Sequence, residues 1–201
     1  MKRLSIYLWF ALLLPIGGCS GPALSVHPLV REEEAVFEPG LVGIWCEESE
    51  ELVCDEDALW TFEEDGERTY KLTIQDLKDE QEKFVFKVRL ARLDGWFFLD
   101  AVLSEQIVRG RKVDTDFLLP VHMLGRIEVE PDAVRIRMLE SDWVRNSLKS
   151  GDLELTHEKL QNGEVLITAK PEELQEFARR YGWIEEAFSL KFDLIRKTTV
   201  K

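Results

Sequence analysis

The side chains able to do chemistry in this chain are few and scattered. Its three cysteines are Cys19, Cys46 and Cys54, and its three histidines, His27, His122 and His157, lie far apart in sequence. Cys46 and Cys54 form a pair eight positions apart, which in an oxidising compartment can bridge and stabilise a fold by roughly 2–3 kcal/mol. Two free thiols near a strand end are the alternative, and zinc is disfavoured because two cysteines without a nearby histidine make half a site. His122, in an apolar segment beside Pro120, reads as a hydrogen-bonded structural histidine. Asp100, set between Leu99 and Ala101, must be paired or placed at a strand end. A catalytic role for either requires the two to meet in space. Residues 47–67 hold eleven carboxylates and no basic residue, which invites calcium. The run from Asp55 lacks the glycine at the sixth loop position and has Gly66 where the bidentate glutamate belongs, so it reads as a solvated charge run. Neither a Gly-rich phosphate loop nor Gly-x-Ser-x-Gly nor His-Glu-x-x-His occurs, and the sequence assigns no catalytic residue, metal ligand or cofactor.

Cys19 belongs to a different pattern. Behind Met1-Lys2-Arg3, the apolar run from Leu4 to Leu14 fits the core of a signal peptide and falls short of the ~20 residues that span a bilayer. Its end, Ile16-Gly17-Gly18-Cys19, resembles the lipobox of bacterial lipoprotein precursors. That resemblance implies cleavage between Gly18 and Cys19, a diacylglycerol on the Cys19 sulfur and often a further acyl chain, such as palmitate, on the new amine. Residues 1–18 are then a signal peptide, and two or three chains hold a protein to a membrane where one is marginal. The location implied is the bacterial cell envelope, facing the periplasm, with Ser20 after the cysteine pointing to the outer rather than the inner membrane. An ordinary secretory signal with a chance cysteine, or an uncleaved anchor, is the alternative. Without residues 1–18 the formal charge moves from −13 to −15, because Lys2 and Arg3 are lost. Such a surface excludes nucleic acid, and anionic headgroups, as partners recognised by charge.

A β-rich body must position whatever these residues do. Six tryptophans and eleven phenylalanines within 45% apolar composition argue for a folded domain. Residues 19–40, rich in proline and charge, read as a lipidated N-terminus and flexible tether, and residues 41–201 as the domain. Beyond residue 40, Trp60 and Phe62, then Tyr70, Leu72 and Ile74, then Phe84, Phe86, Val88 and Leu90 alternate with polar or small neighbours. Asp65-Gly66 and Asp94-Gly95 mark hairpins. The nearly continuous apolar run 96–103 reads as a strand covered on both faces, 104–116 as a loop, and Pro120 as an edge, bulge or break. Ile127, Val129, Val134, Ile136 and Met138 add strands. Ser141 caps a helix ended by Gly151, and Pro171 opens a second through Arg180. Phe188, Leu190, Phe192 and Leu194 alternate in a closing strand.

Gly43-Ile44-Trp45, followed by this series, resembles the Gly-x-Trp opening of lipocalin-like barrels, in which the glycine permits close backbone approach and the tryptophan plugs one end. Leu119-Pro120-Val121-His122, Asp142-Trp143 and residues 172–180 resemble segments of a group of uncharacterised bacterial lipocalin-like proteins, which offers no activity to carry over. The expected fold is mainly β, an antiparallel lipocalin-like barrel or strongly curved sheet with one or two short C-terminal helices. Trp45, Trp60, Tyr70, Phe84, Phe86, Phe188 and Phe192 would then point inward, and such side chains either line a ligand cavity or fill it. Two functions stay open: binding an apolar small molecule or lipid, or a filled barrel that docks another envelope protein.

Overall fold

Period-two alternation becomes strand wherever one face can be buried, and here nearly every alternating segment does so. The structure is a computed structural model that describes residues 21–49, 54–78, 82–108, 110–113 and 119–197. Gly18 and Cys19 lie outside the described residues. In chain order the strands are β1 (Leu24–Ser25), β2 (Gly43–Glu48), β3 (Cys54–Glu64), β4 (Tyr70–Asp76), β5 (Lys83–Leu93), β6 (Trp96–Val108), β7 (Arg111–Lys112), β8 (His122–Val129) and β9 (Ala133–Met138). Then follow helix α1 (Ser141–Ser150), β10 (His157–Lys159), β11 (Val165–Ile167), helix α2 (Pro171–Tyr181) and β12 (Leu190–Arg196).

Eight of these strands close an antiparallel barrel. β2, β3, β4, β5, β6, β8 and β9 run as a meander, and β12 returns to pair with both β9 and β2. Closure leaves none of the eight with an unpaired edge along its full length. Asp94, at φ +49°, and Gly95, at φ +90°, form the two-residue turn that pairs Leu93 with Trp96. The stretch 104–116, expected as a loop, is strand as far as Val108, with β7 folding back on it. Its polar side chains hid this, since a ribbon reaching into water needs no apolar face. A bulge separates the pairings Val85–Glu105 and Phe86–Leu103, and the Ser104 hydroxyl there donates to the Val85 carbonyl at 3.0 Å.

The segment 21–40 is folded, in contrast to the tether expected there. β1 pairs antiparallel with β8 and parallel with β11. Ala23, Leu29, Val30 and Ala35 are buried, Val36 donates its amide to the Leu90 carbonyl at 2.9 Å, and short 3₁₀ turns occupy Glu32–Glu34 and Pro39–Leu41. A strap laid across a barrel needs a few anchoring side chains and no period, so its prolines and charges mimic a linker.

Two apolar cores result. Inside the barrel, all eight strands contribute to one cluster that includes Trp45, Trp60, Phe62, Tyr70, Phe86, Leu99, Ile127, Ile136 and Leu194. Outside, Ala91, Leu93, Phe98 and Leu124 on the barrel wall are covered by Leu29 and Val30 of the strap, Val144 of α1 and Leu174, Phe177 and Ala178 of α2. This second layer is why 96–103 is apolar on both faces: Leu99 and Ala101 enter the inner cluster and Phe98 the outer one.

Candidate functional site

The first β-strand of the barrel begins at Gly43, and the tryptophan two residues on, Trp45, belongs to the inner cluster. Trp45 is fully buried and its indole N–H donates to the Leu41 carbonyl at 2.9 Å. The Arg196 guanidinium lies over its ring, 4.1 Å from the centroid, and donates to the carbonyls of Pro131, Gly40 and Val42. Arg196 shares the parity of the inward residues Leu190, Phe192 and Leu194, so the alternation of β12 delivers it to Trp45. Gly43 has φ +151°, a conformation that side-chain-bearing residues rarely adopt, and its missing Cβ leaves room for the Arg196 guanidinium, whose Nη1 would stand 2.5 Å from it. Phe37 stacks on Tyr70 with centroids 5.0 Å apart. The Tyr70 hydroxyl donates to the Glu38 carbonyl at 3.2 Å and accepts from the Glu38 amide. Burial of that phenol, helped by the nearby negative charges of Glu38 and Glu64, pushes its pKa up to about 12, against the hydrogen bond from Glu38.

Of the residues expected to point inward, Trp45, Trp60, Tyr70, Phe84 and Phe86 are buried in the inner cluster, and Phe192 packs against it with its ring 5.1 Å from that of Trp60. Phe188 is the exception. It is 1% exposed but lies in the outer layer, in edge contact with Phe98 at 6.3 Å. β12 starts only at Leu190, and ahead of it the chain is still turning across the outer wall, so strand parity does not extend back to residue 188. Buried side chains from all eight strands thus meet inside the barrel. One polar atom within it, Trp60 Nε1, is buried with no hydrogen-bond partner among the described residues.

On the outer wall, β6 and β8 bring Asp100 and His122 together. The His122 Nδ1 and Asp100 Oδ1 are 2.6 Å apart, and Asp100 Oδ2 accepts the Leu29 amide at 2.6 Å. Asp100 is 3% exposed, so its carboxylate is desolvated and compensated on both oxygens. A carboxylate bound to Nδ1 orients an imidazole as in hydrolytic triads. The only hydroxyl placed opposite His122 by strand pairing, that of Ser25, donates instead to the His27 carbonyl at 2.8 Å. The pair fastens the strap, through the Leu29 amide bonded to Asp100. Leu29 was invisible to sequence reasoning as a partner, because its backbone amide carries no side-chain signal.

Cys46 and Cys54 are joined as a disulfide across the β2–β3 hairpin, with Cα atoms 5.4 Å apart. Among the described residues no three His, Cys, Asp or Glu side chains converge to hold a metal ion, and no helix is long and apolar enough to cross a membrane. A shallow groove of about 420 Å³ lies outside the barrel between α2 and residues 154–156, where Thr156 is bonded to Glu173. No known protein family, characterised protein or solved structure matches the chain.

Proposed function

We propose that this protein is a bacterial envelope lipoprotein, anchored through Cys19 after removal of residues 1–18, whose lipocalin-like barrel is a filled scaffold that docks another envelope protein. The observation that supports the scaffold reading is the inner cluster: buried side chains from all eight strands meet inside the barrel, and Arg196 stacks over Trp45. A packed interior is rigid and leaves recognition to the outside. The acidic β3–β4 hairpin, exposed from Glu63 to Arg68, is the docking surface with the most distinctive charge. Photo-crosslinking groups placed at Asp65 and Glu67 in intact membranes test this. A single protein species captured from both positions is expected, together with no saturable uptake of a fluorescent fatty acid by the purified protein. Saturable uptake and no capture contradict it.

One observation favours the second reading, an apolar ligand bearing a hydrogen-bond acceptor: the unpartnered Trp60 Nε1 inside the barrel. Trp60→Phe discriminates. It abolishes uptake of such a probe if a ligand accepts from that nitrogen, and it changes no binding property of a filled scaffold.

A further inference from the structure

With residues 21–30 fastened to the barrel wall, Ser20 alone separates Cys19 from the folded body. Two residues of extended chain reach on the order of 7 Å. On the proposed reading that Cys19 carries lipid, the domain has no slack to stand away from the bilayer, and the surface around Gly21 must meet the headgroups. The Gly21 carbonyl accepts the Ser141 amide at 2.9 Å, and the adjacent Glu140 amide donates to the Ala187 carbonyl at 2.9 Å. The turn that leads from α2 to Ala187 therefore flanks the point where the chain departs for its anchor.

That turn carries Trp183, which at 67% exposure is the most exposed large apolar side chain among the described residues. Its indole N–H donates to the Arg180 carbonyl at 2.9 Å, tying the ring to the last turn of α2. Trp96, 44% exposed, belongs to the same face. The Arg126 guanidinium stands 5.0 Å over its ring while donating to the Gly182 carbonyl at 3.0 Å and to Glu185 at 2.6 Å. Ion pairs lie on this face as well, Arg126 with Glu185 and Glu128 and Arg179 with Asp94. Tryptophan, with an apolar body and one polar N–H, belongs at the water–lipid boundary.

We infer that the face carrying Trp183 and Trp96 is apposed to the membrane, with Trp183 seated in the headgroup region of the bilayer that holds the Cys19 lipid. The inference rests on the lipoprotein reading, and its test separates the two. The lipidated protein, purified from membranes, is reconstituted into phosphatidylcholine vesicles whose acyl chains carry bromine near the headgroups. Tryptophan fluorescence is expected to be quenched, with most of that quenching lost in Trp183→Phe and a smaller share lost in Trp96→Phe. The mass of the N-terminal peptide is read on the same preparation. A lipidated Cys19 without Trp183-dependent quenching overturns the membrane-apposed face alone, and an unmodified Cys19 overturns the anchor and the face together. Protection of Trp183 from aqueous iodide in native membranes but not in vesicles assigns this face to a protein partner, which also overturns the inference.

Discussion

Asp100 sits where a carboxylate is costly, and two bonds make it tolerable: one from the His122 ring, one from the Leu29 amide. Removing it strands a buried donor on each side. Asp100→Ala is expected to lower unfolding stability by about 2–4 kcal/mol in urea titrations, with hydrogen exchange at the Leu29 amide accelerated ahead of the barrel strands. A variant as stable as the wild type would show that the strap is held by apolar contacts alone. Both polar residues were legible as misfits in apolar segments. Their meeting was not, because it depends on how β6 registers against β8 across the intervening segment, which sequence does not fix. Tyr70 gives a second residue-scale prediction. Its phenol binds its proton more tightly in the folded state, with a pKa raised from 10.0 to about 12. The stability this contributes is therefore complete below pH 10 and is lost as pH rises toward 12. Stability of the wild type should fall through that window by about 2–3 kcal/mol more than stability of Tyr70→Phe. Equal slopes for the two proteins contradict the assignment.

At the scale of elements, period-two strands and capped helices were readable because their signals are local. The Asp94-Gly95 turn, the Gly151 stop and Pro171 at the start of α2 all stand where side-chain chemistry requires them. Phe188 and residues 21–40 were misread for one shared reason. Phe188 lies outside any element and residues 21–40 hold only a two-residue strand and two 3₁₀ turns, so the place of each follows from what the barrel wall leaves uncovered rather than from its own neighbours in sequence. Arg196 escaped notice although the parity of β12 points to it, since a charged residue at a strand end resembles solvent-facing termination. The β2–β3 hairpin offers a direct test of covalent support. Cys46→Ser or Cys54→Ser, or reduction of the wild type, should reduce stability by roughly 2–3 kcal/mol, as expected for so short a closed loop. Identical urea midpoints for the oxidised and reduced proteins would contradict this.

For the whole molecule, two cores share one wall. The inner one gathers side chains from all eight barrel strands, and the outer one clamps α1, α2 and the N-terminal strap against β5, β6 and β8. With Cys19 lipidated as proposed, a strap bonded to that wall two residues later makes the lipid a mount rather than a loose leash, and the point where the chain enters the barrel sets its orientation. On the proposed reading, the body left after removal of residues 1–18 carries a formal charge of −15. The central claim, a lipid-mounted barrel filled by its own side chains, is tested most directly by the intact mass of the protein taken from its membrane in mild detergent. The account predicts one species, residues 19–201 plus covalent acyl chains, with no further stoichiometric molecule released on unfolding. A species retaining residues 1–18, an unmodified Cys19, or an apolar molecule liberated only when the barrel unfolds would contradict it.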